Sequence, residues 1–365
     1  MSPDPPSLAV NERRRQFLAN LPRLNGGAVG SGVIRTVADD FVVAEELGFA
    51  PASDGAHWLV HVKKRLATTP WAAKVLSRAF AVPVREVGYS GLKDRHAVTT
   101  QWFSLPRQLT AERPSPGELA EGIEILEVGC MQRKLRRGVH KRNRFSIVVR
   151  DVDADASGLD AALVALRTNG FANYFGAQRF GRAGSNLDLA TRLVDGDRVA
   201  KHQREYAVSA MRAYLFNGLA AARVGGAAWP GWQDGDHAIL DGSNSHFSIA
   251  VTDLELAPRF VRGDVHPGAT LWGRQGSLLD GAAAEQERAL VARADNEVFG
   301  AWLERDRSAS MLRAVRAVPS GFDWQYDRDA RALELRFALG RGSFATALLD
   351  EVLRIRDYSA VSSNT

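Results

Sequence analysis

The chain has 365 residues, 45% hydrophobic and 24% charged, a composition that suits a folded protein of about two domains and excludes wholesale disorder. A single cysteine, Cys130, excludes a disulfide framework, a thiolate zinc cluster and an iron–sulfur site. The opening Met1-Ser-Pro-Asp-Pro-Pro is not a secretory signal, and no window reaches about 18 consecutive apolar residues, so a cytoplasmic protein with no membrane span is expected.

The net charge of +5 hides an uneven distribution. From Met131 to Arg150 the chain carries Arg133, Lys134, Arg136, Arg137, Lys141, Arg142, Arg144 and Arg150 with no acid between them. A second basic stretch runs from Lys63 to Arg95, whereas residues 230–307 hold thirteen Asp and Glu against seven Arg. Concentrated Lys and Arg is the footprint of a polyanion binder, because neutralised phosphates release condensed counterions.

Taken in chain order, residues 1–25 are Pro-, Arg- and Asn-rich and read as a loosely held leader. Short β-like runs follow at 32–37 and 41–45, then His57 to Lys63, where Trp58, Val60 and Val62 alternate with His57, Leu59 and His61. Thr69 as N-cap and Pro70 at the first position open a helix carrying Trp71, Val75, Leu76 and Ala79. Residues 85–89 and 99–105 read as strands around the tight loop 90–96, and 123–128 and 145–149 as a strand pair flanking the basic segment. Helices are expected at 159–167, ended by Gly170, and at 186–194 and 204–223, where Val208, Met211, Leu215 and Leu219 form a core stripe. A charged helix over 285–307, strands at 323–326 and 333–339, and a last helix over 344–355 complete the chain. Strands and helices alternate too irregularly for a doubly wound sheet, so an α+β fold is expected, with one domain inserted into another.

Two nucleotide or metal signals fail on geometry. His57 and His61 would share a strand face about 13 Å apart at a rise of roughly 3.3 Å per residue, too far for one zinc. Gly340-Arg-Gly342-Ser-Phe-Ala345 matches a dinucleotide fingerprint, but only twenty residues remain after it, too few for the strand and acid that must follow.

Two other segments point to chemistry. In Gly88-Tyr-Ser-Gly91-Leu-Lys93-Asp94-Arg95-His96-Ala-Val-Thr99-Thr-Gln101, an acid sits between two cations on a Gly-rich loop, where its anionic form is favoured. In Asn173-Tyr174-Phe175-Gly176-Ala-Gln178-Arg179-Phe180-Gly181-Arg182, aromatics, amides and arginines interleave with glycines and can stack on a splayed base and touch phosphates.

Together these two runs resemble the TruD-type tRNA pseudouridine synthases. The supporting marks are Asp40-Phe41-Val42-Val43 with Glu45, Lys134-Leu-Arg-x-Gly138, Asn143-x-Phe145, Arg212-x-x-x-Phe216-Asn217, Leu271-Trp272-Gly273 and Gly342-Ser343-Phe344-Ala345-Thr346. Departures are Ala172 where the family often has Pro, Arg142 where Gly is common, and Thr68-Thr69 in place of Asn-Thr.

The resemblance implies a pseudouridine synthase catalytic domain, a mixed and largely antiparallel sheet flanked by helices, over 26–198 and 313–358, with an inserted α/β domain over 199–312. It implies uridine 13 of tRNA as substrate, no cofactor and no metal. Carried over by motif, Asp94 is the nucleophile, and Phe41, Asn173, Phe175 and Phe344 are the residues at the base. Lys93, Arg95, Arg136, Arg137, Lys141, Arg179 and Arg182 are the candidates for gripping the RNA backbone. Forming pseudouridine breaks the N1–C1′ bond, turns the uracil and joins C5 to C1′, with no redox change and no group donor. Asp94 could attack C1′ or C6 or take the C2′ proton. The rival readings are a non-catalytic tRNA-binding protein or RNA chaperone on the same scaffold, and a methyltransferase needing a methyl donor.

Overall fold

A computed structural model of the chain describes residues 5–226 and 229–360. The chain divides into two compact units. A sheet unit comprises Val29–Ala161, Pro319–Gly342 and the chain from Leu353 on; a helical unit comprises the chain up to Ala28, Ala162–Val318 and Ser343–Val352.

The sheet unit is built on an eleven-stranded mixed sheet. Its main path runs Ser320–Asp327, Ala332–Gly340, Arg142–Ala154, Phe41–Glu46, Val98–Pro106, His57–Arg65, Ile123–Met131 and Gly117–Ala120. All neighbours on this path are antiparallel except Phe41–Glu46 beside Val98–Pro106. Gly30–Ile34 joins at the side, antiparallel to Arg142–Ala154 and parallel to Arg354–Asp357. In the central strand His57–Arg65, Val60 and Val62 are buried against Ala72, Ala73, Val75 and Leu76 of the helix Thr69–Ala79, while Leu59 meets Leu47, Trp102 and Leu135. The same alternation carries Lys64 inward, and it is 0% exposed. His61 stacks on Trp102 at 4.5 Å.

The helical unit is centred on the 24-residue helix Lys201–Val224. Met211, Leu215, Phe216 and Leu219 form one core with Leu187, Trp272 and Phe299. An antiparallel four-stranded sheet runs His246–Ser248, His237–Leu240, Val265–Leu271 and Met311–Ala314. Phe171–Ala172 pairs with Arg316–Ala317. Gly170, at φ +76°, ends the preceding helix where an added Cβ would come within 2.3 Å of the Ala317 carbonyl oxygen.

The α+β architecture agrees with the sequence, and several local features differ. Thr68, not Thr69, caps the helix Thr69–Ala79, its hydroxyl accepting from the Trp71 amide at 3.2 Å. Residues 85–89 form a turn of 3-10 helix and the two-residue strand Gly88–Tyr89. The strands Ile123–Met131 and Arg142–Ala154 share the sheet but are separated by three strands, the first pairing with His57–Arg65 and the second with Ala332–Gly340 and Phe41–Glu46. The charged segment after 280 makes two helices, Gly281–Val291 and Ala294–Arg305, and the last helix stops at Val352 before Arg354–Asp357 turns extended.

Nor does the chain before residue 26 read as loose. Pro5–Ala19 is a helix, Arg14 is 1% exposed and donates to the Asp295 carbonyl, and Arg13 and Arg15 pair with Asp295 and Asp188. Asn11, Arg14 and Arg15 are held by partners distant in sequence. The helical unit also runs wider than residues 199–312, since Ser185–Val194 packs on the long helix and Phe171–Ala172 is tied to Arg316–Ala317.

Candidate active site and nucleic-acid interface

In the sheet unit the loop after Gly88–Tyr89 is fixed by its backbone. The Thr69 hydroxyl donates to Gln101 Oε1 at 2.7 Å and accepts from the Lys93 amide at 2.9 Å. Gln101 Nε2 donates to the Gly91 carbonyl at 3.2 Å. Lys64 Nζ donates to the Asp94 carbonyl at 2.9 Å and to the Ala67 carbonyl at 2.6 Å. Burial pushes that ammonium down to about 8, against the opposing pull of Asp94. Thr69 and the motif's Gln101 thus act as struts under the loop, so its backbone is held without help from the Asp94 carboxylate.

That carboxylate is oriented by Arg35. One guanidinium nitrogen donates to Asp94 Oδ2 at 2.8 Å and the other to Asp357 Oδ2 at 2.5 Å. The Asp94 side chain remains 41% exposed, while that of Arg35 is 2% exposed. Arg35 has φ +60°, an uncommon backbone conformation for a non-glycine residue, and its guanidinium lies over Phe41 at 3.9 Å. Phe41 is therefore a buried floor beneath Arg35, edge-on to Phe145, rather than a ring open to a base.

Lys93 is also placed differently from the expectation. Its ammonium is buried and held by Glu45 at 2.6 Å, and Glu45 in turn accepts from the Trp102 amide. It is an internal ion pair, so the cation at Asp94 is Arg35 and not its sequence neighbour. Arg95 is exposed. His140 lies near Gly91, its imidazole pushed down first by burial and then by Lys93.

The basic segment is tied to this loop. The Leu135 amide donates to Ser104 Oγ, and the Gly138 amide to the Ser90 carbonyl at 2.7 Å. Gly88 permits the crossing, since a Cβ there would meet Ser104 Oγ at 2.4 Å and the Leu135 carbonyl at 2.6 Å. Half of the eight cations find acids from elsewhere in the sheet unit. Arg142 and Arg144 pair with Glu46, Lys134 with Glu86, and Arg150 with Asp40. Arg136, Arg137 and Lys141 are exposed, and Arg137 lies over the Tyr89 ring at 5.6 Å.

In the helical unit, two segments 169 residues apart meet: Phe175 and Phe344 are 6.0 Å apart, and a Cβ on Gly176 would lie 3.2 Å from Thr346 Oγ1. Asn217 clamps Phe175 by accepting from its amide at 2.9 Å and donating to its carbonyl at 3.0 Å. Arg313 lies over Phe175 at 4.1 Å and near Phe216 and Phe344, and Arg179 lies over Phe175 at 5.1 Å. Asn173 donates to the Ala314 carbonyl and accepts from Arg313 at 2.9 Å. Its amide is thus committed to protein partners instead of presenting a free edge. Burial and then Arg179 push the Arg313 guanidinium down to about 9. Phe344 is half-buried, and Arg179 and Arg182 are exposed.

Sequence reading missed Arg35, Lys64, Asn217 and Arg313. Asn217 lies in a motif that gave it no role, the period-two pattern extended by one step would have turned Lys64 inward, and Arg35 and Arg313 had no signal. Among the described residues there is no cluster of three or more His, Cys, Asp or Glu able to hold a metal, and no helix long and apolar enough to cross a membrane.

A crystal structure of a Methanosarcina mazei protein described as tRNA pseudouridine synthase D (TruD) superposes with a TM-score of 0.68, covering 93% of this chain and 98% of that one at 18% identity. This chain accordingly shares the fold of that protein. The model of the family tRNA pseudouridine synthase D (TruD) matches residues 26–200 and 197–352. Curated proteins of that name from Methylococcus capsulatus and Aeromonas salmonicida are each 38% identical, over 92% and 93% of this chain and 94% and 96% of theirs. One from Chromohalobacter salexigens is 39% identical over 91% of this chain and 96% of its own length. The chain belongs to the tRNA pseudouridine synthase D family.

Proposed function

We propose that the chain, an isomerase by its family membership, converts uridine 13 of tRNA to pseudouridine, with Asp94 acting on a uridine turned out of its stack. The observation that carries this reading is the Asp94 carboxylate itself: half-open to solvent, oriented by a buried arginine, and not needed to hold its own loop. Extruding the uridine costs a few kcal/mol, recovered through stacking and backbone contacts. The reaction then cleaves N1–C1′, rotates the freed uracil and forms C5–C1′; C5 loses its proton and N1 gains one, so atoms balance with no donor or oxidant. Asp94 serves either as the nucleophile at C1′ or C6 or as the base at C2′.

Uridine 13 is taken from the family resemblance. Exposed Arg95, Arg136, Arg137 and Lys141 are assigned to phosphates near the Asp94 loop, and Arg179 and Arg182 to phosphates at the helical unit. Phe344 is assigned to stacking on a base, with Phe175 and Asn173 holding Arg313 behind it.

The test uses purified protein and unmodified tRNA with nothing added. Pseudouridine should appear at position 13 by base-resolved chemical mapping, and Asp94→Asn should abolish it while tRNA binding survives within about threefold. An Asp94→Asn enzyme with near-normal turnover removes Asp94 from the mechanism, and tRNA binding without any pseudouridine favours the non-catalytic binder.

A further inference from the structure

The helical unit contains a cavity of about 450 Å³ beside the long helix Lys201–Val224. Its walls carry four cations, Arg179, Lys201, Arg204 and Arg212, against Glu205 and Asp306. Asp306 is already neutralised, accepting from Arg204 at 2.7 Å and from the Ser308 hydroxyl. Arg212 donates to the carbonyls of Trp272, Leu271 and Ala309, which fixes it in the wall as a positive charge. Phe175, Val208 and Leu271 line the same space with apolar surface.

A second observation points to an anion. Arg179 and Arg313 both lie over Phe175, like charges on one ring, and Arg313 Nε is buried without a partner. Arg313 is pushed down to about 9, first by burial and then by Arg179, and burial lowers Arg179 as well. Bringing an anion to Arg179 would relieve that repulsion. Volume, an apolar wall and surplus cations together suit a nucleotide better than a bare phosphate, which needs no apolar surface.

We propose that this cavity holds a second nucleotide of the bound RNA, with its phosphate on Arg179 and Lys201 and its base against Val208 and Leu271, distinct from the uridine that is isomerised. The proposal rests on the reading that the chain binds tRNA.

The probes are uridine 5′-monophosphate, uridine and inorganic phosphate, titrated calorimetrically into Asp94→Asn protein, together with binding of full-length unmodified tRNA. The monophosphate should bind at least tenfold more tightly than uridine or phosphate. Val208→Trp, which fills the cavity and leaves its charges, should abolish monophosphate binding and weaken tRNA binding at least fivefold. Lys201→Glu, on the exposed first turn, serves where Val208→Trp does not fold; it should weaken both ligands and lower the slope of log affinity against log salt by about 1. Monophosphate binding that survives both changes overturns the proposal, and phosphate binding equal to the monophosphate reduces the cavity to an anion site. With the unaltered enzyme assayed in parallel, pseudouridine absent while these binding results hold sinks the isomerase reading alone; pseudouridine present with binding untouched by the two changes sinks the cavity alone.

Discussion

Arg35 reaches Asp94 from 59 residues upstream and divides its guanidinium between that carboxylate and Asp357, with its flat face on Phe41. The planar fork suits this role because each carboxylate receives its own nitrogen in a fixed direction. Removing the cation leaves two carboxylates without their shared partner and uncovers a buried ring. Arg35→Ala should therefore lower the single-turnover rate at saturating tRNA at least 100-fold with affinity nearly intact, and should destabilise the fold by about 1–2 kcal/mol, discounted for the exposure of Asp94. Arg35→Lys keeps the charge but loses the fork, so it should recover the stability more than the rate. Equal rates for wild type and Arg35→Ala would detach the pair from the chemistry.

Lys64 supplies a pH signature. Its folded value, about 8, lies below the ordinary 10.5, so between these pH values the unfolded chain holds a proton that the folded one has released. Folding stability from this group consequently rises as pH climbs from 8 toward 10.5, by up to about 3 kcal/mol, and is flat below 8. Urea unfolding at pH 7.5 and pH 10 should show this gain in wild type and not in Lys64→Met. The comparison cancels the other titrating groups, and identical pH responses in the two proteins would mean that the ammonium is not desolvated.

How much of this could be read from the chain depends on whether a residue acts through its neighbours in sequence or in space. Phe175 and Phe344 were marked by motifs, and the fold brings those motifs together. The charge of Lys93 was visible, but its partner Glu45 lies on another strand, so adjacency to Asp94 misled. Linear counting likewise gave the segment after Met131 eight uncompensated cations, because Glu46, Glu86 and Asp40 enter only through strand register and loop crossing. Thr69 read as a cap because capping residues are recognised by type; the cap fell one residue earlier, and Thr69 instead braces the loop. Arg35 carries no pattern at all, since its importance comes from a positive φ and a long-range contact.

Asn217 tests the Phe175 clamp. Its amide matches one backbone N–H and one C=O, both buried, and no other side chain of that size offers a donor and an acceptor in fixed opposition. Asn217→Ala leaves both groups unpaired and should cost about 2–4 kcal/mol in thermal or urea unfolding. Asn217→Asp should be nearly as harmful despite its identical shape, because one of its oxygens faces the Phe175 carbonyl. A wild-type melting curve for the Asp variant would show that shape alone holds the loop.

The basic segment separates cations that are free for RNA from cations already neutralised. Arg136 and Arg137 are exposed and have no acid partner among the described residues, while Arg142 and Arg144 share Glu46. Each phosphate contact releases about one counterion, so the slope of log affinity against log salt counts them. Arg136→Glu with Arg137→Glu should weaken tRNA binding at least tenfold in low salt and flatten the slope by about 2. Arg142→Gln with Arg144→Gln should change the slope by less than half as much, since those guanidinium groups would have to leave Glu46 to meet a phosphate. Filter binding from 50 to about 300 mM salt distinguishes the two pairs. Equal slopes for both double variants would mean that the strand ion pairs open on binding, and that the whole run from Arg133 to Arg144, rather than its exposed tip, follows the RNA.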